Sequence, residues 1–284
     1  MKLIIKKLKK HYDYLIKLLL LSIWLVICIT PILILFMASI SDTAIFQTIP
    51  DLFSLEGTTL VNYRISINQG NFFFHLRNSL IIAGSALALV LVVCTPMAYG
   101  ITKLSSRKAK SAVVFGVLST RFIPYVVIAM PLYLLFRQMG LSGSLPGVIM
   151  AHLAMQMPFI VWLMVGFFDG IPGEVEEAAI IDGCTPFQIF FKVSLPMVLP
   201  GLNAAAILAF IMSYNEFLFG LFLAGPNTRP LTVGIMRFVG GVEVGAQYGV
   251  VAAYGSMIVV PIIIFALIVN RYIVSGMTQG AVKE

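Results

Sequence analysis

Apolar residues run along this chain in long unbroken blocks, with neither the alternation of a half-buried strand nor the one-sided stripe of a surface helix. Uncharged windows at 18–41, 78–102, 138–168, 193–215 and 244–270 each reach the length that crosses a bilayer as a helix, about 20 residues. A sixth window, 111–136, is interrupted only by Arg121. Lipid offers no hydrogen bonds to exposed backbone, so segments of this length predict six transmembrane helices. The connections are polar. The loop 42–75 carries Pro50, Gly57 and Gly70, a short basic turn spans 103–110, and the glycine-rich link 140–147 is expected to be tight. The loop 224–247, with Pro226, Pro230 and Gly240-Gly241, has the composition of one that reaches outward.

Composition agrees with that pattern: 60% of residues are apolar, and 11% are charged against roughly 25% in soluble domains. A net charge of +7 raises nucleic acid as a partner, but the distribution argues against it. Six lysines precede the first span. Lys103, Arg107, Lys108 and Lys110 fill the second inner turn, Lys192 lies between the fourth and fifth spans, and Arg271 and Lys283 follow the sixth. Arg64, Arg77, Arg137, Arg229 and Arg237 fall on the opposite side. This asymmetry predicts both termini in the cytoplasm and a multi-pass protein of the cell membrane. The first apolar run is longer than a secretory signal's core and is read as an uncleaved signal-anchor helix. The cysteines 28, 94 and 184 form no metal pattern, and the three histidines are scattered. No GxxxxGK[ST] phosphate loop occurs, and no nucleophile–base pair can be argued, so neither a metal nor a catalytic residue is expected in this chain.

The most structured polar stretch lies between the fourth and fifth spans. Ile171-Pro172-Gly173 opens it, with proline where the first amides of a helix need no partner. Glu174, Glu176 and Glu177 crowd the first turns, where carboxylates favour the positive helix end. Ala178 and Ala179 are strong helix formers with little bulk, so another backbone can approach closely. Asp182-Gly183 reads as a helix stop. Thr185-Pro186-Phe187-Gln188 restarts the chain with a capping box. Phe187, Phe190 and Phe191 recur at helical spacing and should anchor one face. Leu195-Pro196 and Pro200-Gly201 then redirect the chain into the fifth span. An amphipathic connector is the plain reading; two short helices with a small-residue face and clustered carboxylates also suit docking into a groove of a cytoplasmic subunit.

Glu177-Ala178-Ala179, Gly183 and Leu195-Pro196 resemble, in identity and spacing, the EAA loop of permease subunits of binding-protein-dependent ABC importers. The flanks sharpen that resemblance: Pro158 to Trp162 and Gly166-Phe167-Phe168 before the loop, Tyr214-Asn215-Glu216-Phe217 after it; the tail from Gly276 to Lys283 resembles the carbohydrate branch, in particular the MalG-like subunit of maltose-type importers. Tyr214 stands where the family commonly has Trp, and Cys184 where it has Ala or Ser. The resemblance covers about 78 to the C-terminus. It implies an all-α integral membrane protein with six transmembrane helices, a type I importer permease (MetI-like) core at 76–284, a cytoplasmic coupling loop at 169–200 and a cytoplasmic tail. Residues 1–75 would be the N-terminal segment, first helix and first outer loop. It further implies that Glu174, Glu177, Ala178, Ala179, Asp182, Gly183, Leu195 and Pro196 couple the chain to an ATPase dimer that binds ATP and Mg, this chain binding no cofactor itself. A second homologous permease, an extracytoplasmic binding protein and the lipid bilayer are the other implied partners.

Polar residues inside the spans are candidates for a solute path, since intramembrane polar groups face the bundle interior or water. Arg121 either serves such a path or pairs structurally with a carboxylate or helix-end carbonyls. His152 and Gln156 are one turn apart and could face a lumen together. Asn203, Asn215 and Glu216 offer hydrogen bonds along the fifth span, though Glu216 could equally be solvated at the interface. The leading expectation is a permease subunit forming half the path of an ATP-driven carbohydrate importer. A non-sugar polar solute such as glycerol phosphate is the alternative cargo. A stand-alone secondary transporter would call for paired ionisable residues at mid-membrane or internal repeats, which are poor here, and a membrane anchor that moves no solute is the third reading.

Overall fold

The computed structural model describes residues 2–41, 57–239 and 247–280, with side chains at 12, 14–41, 57–239 and 247–268. Pro50 and the Gly240-Gly241 pair lie outside the described residues. Among the described residues the regular elements are helical, and the sole β contact is an isolated bridge between Ser41 and Thr58. The chain runs through α1 (Lys2–Ile40), α2 (Val61–Asn68), α3 (Phe72–Thr102), α4 (Arg107–Ser119), α5 (Tyr125–Gln138), α6 (Leu145–Asp169), α7 (Gly173–Ile181), α8 (Pro186–Ile189), α9 (Leu195–Met197), α10 (Leu199–Tyr214), α11 (Leu218–Leu223), α12 (Leu231–Gly234) and α13 (Tyr248–Gly280).

Four of these are long and apolar enough to cross a membrane: Tyr14–Ile40 of α1, α3, α6, and Tyr248–Ile268 of α13. Two bent pairs make the number six if each is one span. The third and fifth of the six expected spans are therefore not single helices. The third breaks by 91° between α4 and α5, after a 3₁₀ turn at Thr120–Phe122. Pro124 has no amide proton and disfavours helix at its neighbour, and Ile123 is extended (φ −77°, ψ 120°). The fifth bends by 75° at Val198, between a segment ending in α9 and α10. A π-turn at Phe190–Ser194 precedes that bend, where Pro196 cannot donate a hydrogen bond back into the ladder.

The chain divides into two compact units, Met1–Gly70 with Ile235–Ile258 and Asn71–Gly234 with Val259–Glu284. In the first, α2, which hydropathy did not reveal, is tied to the end of α1. Asn62 donates to the carbonyls of Ser39 (3.1 Å) and Ser41 (2.7 Å), and the Tyr63 hydroxyl joins Ser39 Oγ (2.7 Å) to Ser256 Oγ (3.0 Å). These bonds answer the polar groups that a short helix leaves inside an apolar setting.

The second unit is built on α3, α6 and α10. Ala83, Ala86, Val90, Cys94 and Ala98 form a fully buried stripe on α3, and Ala205 and Ala209 a matching one on α10. Small residues let membrane helices approach until their backbones nearly touch, and close packing holds such helices together where lipid is as apolar as leucine. Gly201 leaves room for the Phe167 ring of α6, which a Cβ there would meet at 2.2 Å from Cγ. The α5–α6 link is tight as expected, with Gly140 (φ 71°) and Gly143 (φ 77°) in the left-handed region. The described part of the loop after α11 does not reach outward. It folds onto α3, where Asn78 Nδ2 donates to the carbonyls of Asn227 and Arg229 (3.1 Å each) and Ser79 Oγ accepts from Leu231 N (2.8 Å). Leu231 is completely buried, which explains why a loop rich in turn residues stays docked.

Candidate functional site

The segment between α6 and α10 folds through its own local chemistry. α7 begins after Pro172 and ends in a Schellman motif: Cys184 N bonds Ala179 O and Gly183 N bonds Ile180 O, both at 3.0 Å, with Gly183 at φ 80°. The capping box forms as expected, Gln188 N donating to Thr185 Oγ1 (3.3 Å) and Thr185 N to Gln188 Oε1 (2.8 Å). One expectation fails. Of the three phenylalanines only Phe190 is buried, beside Ile189 and set between Tyr99 (ring centroids 4.9 Å apart) and Phe168 (6.2 Å). Phe187 and Phe191 meet with ring centroids 4.5 Å apart and planes tilted by 51°, and both are exposed.

Of the residues expected to couple, Ala179 is buried, Leu195 is half-buried, and Glu174, Glu177, Ala178, Asp182, Gly183 and Pro196 are exposed. Ile180 and Ile181 join that surface, Ile181 with 85% of its area open. The residue that sequence reasoning passed over is Glu176. It turns inward, forms an ion pair with Lys103 at the end of α3, and accepts from Ser194 Oγ (2.7 Å) in the π-turn. Burial works against its charged form, yet the hydrogen bonds from Lys103 and Ser194 outweigh it and hold the carboxyl below its ordinary value. Lys103 lies over the Tyr99 ring at 4.7 Å, and Lys110 pairs with Asp169 at the end of α6. One ion pair thus ties α7 to the end of α3, and a second ties α4 to the end of α6. Glu176 sits one residue from Glu177, and only the partners' distance in sequence hid the difference between them.

Inside the second unit, His152 and Gln156 on α6 are both buried. His152 Nδ1 meets Ser213 Oγ at 2.7 Å, and its Nε2 stands 3.3 Å from Glu216 Oε2, within ion-pair reach but off the line of a hydrogen bond. Glu216 is therefore not solvated at an interface. It is 9% exposed, and its two oxygens accept from Phe219 N (3.0 Å) and Gly220 N (3.1 Å), capping α11. Gln156 lies wholly buried with neither end of its amide hydrogen-bonded. Asn203 and Asn215 are exposed on α10 and at its end, and the structure does not gather them with this cluster. Arg121 finds neither a carboxylate nor a helix-end carbonyl among the described residues. Its Nε and Nη2 donate to Tyr125 Oη (3.2 and 3.1 Å), and its guanidinium lies 5.3 Å from the Phe159 ring centre. No group of three or more metal-binding side chains occurs among the described residues.

Two short helices, α7 and α8, thus stand between two spans of a helical membrane core, the first tied to α3 through Glu176. Residues 95–279 match the family of binding-protein-dependent transport system inner membrane components, and the chain belongs to that family. It is 35% identical over 258 residues to the trehalose transport system permease protein SugB of Mycobacterium tuberculosis, covering 89% of this chain and 92% of that one. It is 30% identical over 263 residues to the sulfoquinovosyl glycerol transport system permease protein SmoH of Agrobacterium fabrum, covering 92% and 91%. Its fold resembles a chain of the bacterial ABC transporter that imports the acidic polysaccharide alginate, with a TM-score of 0.76 at 23% identity over 91% of this chain and 95% of that one.

Proposed function

We propose that this permease forms half of the transmembrane path of an ATP-binding-cassette importer for a carbohydrate, with a second homologous permease forming the other half. An extracytoplasmic binding protein delivers the saccharide, and a separate ATPase dimer, holding ATP and Mg, does the hydrolysis. Both termini lie in the cytoplasm with the α7–α8 segment. The observation that carries this reading is the division of labour on α7. Glu176 faces the core and is clamped, while Glu177, Ala178, Ile180 and Ile181 stand exposed on a helix fixed at its end by a Schellman turn. Such a face can seat in a groove of the ATPase and pass its displacement to α3 without bending, since a salt-bridged, hydrogen-bonded base moves as one body. The carbohydrate cargo draws on the saccharide transport named for SugB and SmoH.

Two experiments test the proposal. In the complex purified through a tag on this chain, Glu177→Lys and Ala178→Trp should abolish ATP-driven uptake while membrane insertion and the level of the chain stay unchanged; normal uptake by both well-assembled variants would sink the coupling role. Mass spectrometry of the ligand eluted from the co-purified binding protein should return a saccharide. A phosphorylated polyol or another non-sugar solute would overturn the cargo assignment alone.

A further inference from the structure

The break in the third span has a chemistry of its own. Arg121 lies in the 3₁₀ turn where α4 gives way to α5, about 20 Å along the helix axis from Arg107. Irregular backbone at such a depth persists only where it is buried in protein or lines a cavity, and a charge there marks a pathway or a partner. Of the irregular segment, Thr120 and Arg121 line a cavity, while Phe122, Ile123 and Pro124 are exposed. The cavity, of about 150 Å³, is lined by Thr120, Arg121, Tyr125, Met155, Pro158 and Phe219, among others. An apolar cavity of about that volume holds benzene; this one differs in having Thr120, Arg121 and Tyr125 in its wall.

The guanidinium is oriented and yet not used up. Tyr125 Oη accepts from Nε and Nη2, and is itself 3.5 Å from the Met155 carbonyl, while the Phe159 ring supports the cation. A guanidinium carries five N–H donors in a rigid fork, so three remain beyond the two that Tyr125 receives. No carboxylate among the described residues neutralises it. The Phe219 ring lies 5.7 Å from the Tyr125 ring, adding an aromatic edge to the same wall. Such a fork binds carboxylate and phosphate bidentately; beside aromatic surface it also suits a ring bearing adjacent hydroxyls on its rim and C–H groups on its faces, and the carbohydrate reading selects the latter.

We infer that this cavity is a saccharide subsite, in which the Arg121 fork donates to a vicinal pair of sugar hydroxyls and Tyr125 holds the fork in place; the inference rests on the carbohydrate reading above. Arg121 binds and Tyr125 positions. A lysine in place of Arg121 keeps the charge but loses the fork, so the subsite depends on shape as well as sign. The demand on the site is modest, because a transported ring must leave as readily as it enters.

The test uses the assembled importer in proteoliposomes with its binding protein loaded with tritiated trehalose, maltose or diacetylchitobiose, and compares uptake with ATP hydrolysis. Arg121→Met should lower uptake by about tenfold to a hundredfold, the loss of a charge-assisted hydrogen bond or two. Arg121→Lys and Tyr125→Phe should show smaller losses, and in all three the binding-protein-stimulated ATPase rate should persist, so that uptake per ATP falls. Full uptake in Arg121→Lys, or in Tyr125→Phe, overturns the inference, as does a parallel fall of ATPase and uptake in every variant, which marks a structural role. Loss of the second permease from the purified Arg121→Met complex also overturns it, by showing that Arg121 pairs across a subunit boundary. If the unaltered complex moves one of the three sugars and the variants keep pace, this inference alone fails. A non-saccharide ligand eluted from the binding protein defeats the carbohydrate reading and this one with it.

Discussion

The α7–α8 segment and the third span solve opposite problems. The first is a polar stretch that must hold a fixed shape outside the apolar core; the second is an apolar stretch that must accommodate a charge and a proline within it. The segment closes its helix ends with partners three to five residues away, Thr185 with Gln188 and Ala179 with Cys184. The span breaks instead, by 91°, and settles Arg121 partly on Tyr125 and partly on Phe159, which belongs to another helix. Where the aqueous side supplies solvent, local caps suffice. Within the span, Arg121 is met both by Tyr125, four residues on, and by a ring from another helix.

If tertiary pairing is what stabilises the membrane-embedded part, breaking a pair there should cost the most. Glu216→Ala removes at once the cap of α11 and the partner of His152. Losing the acceptor leaves two buried backbone donors of α11 unsatisfied, at about 1–3 kcal/mol each. Glu216→Gln, which still offers one oxygen to the α11 amides, should lose less. The measure is the thermal unfolding midpoint of the purified complex. An unchanged midpoint for the alanine variant would mean that the cluster contributes no stability and that the contrast between the two regions is misdrawn.

What was legible in the sequence follows the same division. The Schellman stop at Gly183, the capping box at Thr185 and the redirecting prolines could be read because their chemistry lies within a few positions. The bend at Ile123-Pro124 had its signal too, but a hydropathy window sums residues and is blind to direction. Glu176 could not be separated from Glu177, since its partners Lys103 and Ser194 are 73 and 18 residues away. Glu216 was unreadable for a similar reason: the same carboxylate is solvated at a helix end or buried as a cap depending on whether His152 faces it. Helix α2 escaped because its eight residues, with Asn62, Arg64 and Asn68 among them, have no apolar face to announce it.

Glu176 sits between the two regimes, exposed enough to be charged and distant in sequence from both partners, so its removal should have an intermediate effect. Its folded carboxyl titrates below the ordinary 4.5, so between the folded value and 4.5 the unfolded chain binds more protons than the folded one. The stabilisation is therefore present in full above 4.5 and disappears as pH falls through the folded value. Unfolding midpoints of the unaltered protein and Glu176→Gln should differ by a constant amount above pH 4.5 and converge in more acidic buffer. Lys103→Met should reproduce the loss, and the double variant should be no worse than either single one, because both remove the same ion pair. Additive losses would show that Glu176 and Lys103 act separately and that no clamp joins α7 to α3.

The smallest effect belongs to the most local contact. Thr185→Ala removes one side chain from the capping box, and exposed caps of this kind contribute about 1 kcal/mol. Gln188→Ala removes the reciprocal bond, from Thr185 N to Gln188 Oε1. Each bond is made to backbone within the same turn, and water can replace either acceptor, so neither loss should reach the α3–α6–α10 core. The expected signature is spatially confined: faster amide hydrogen exchange at 185–189, with exchange in α6 unchanged. Exchange that accelerates along α6 as well would mean that the segment's shape is held by the whole second unit rather than by its own caps. Tertiary contacts would then govern the segment even where its chemistry is most local.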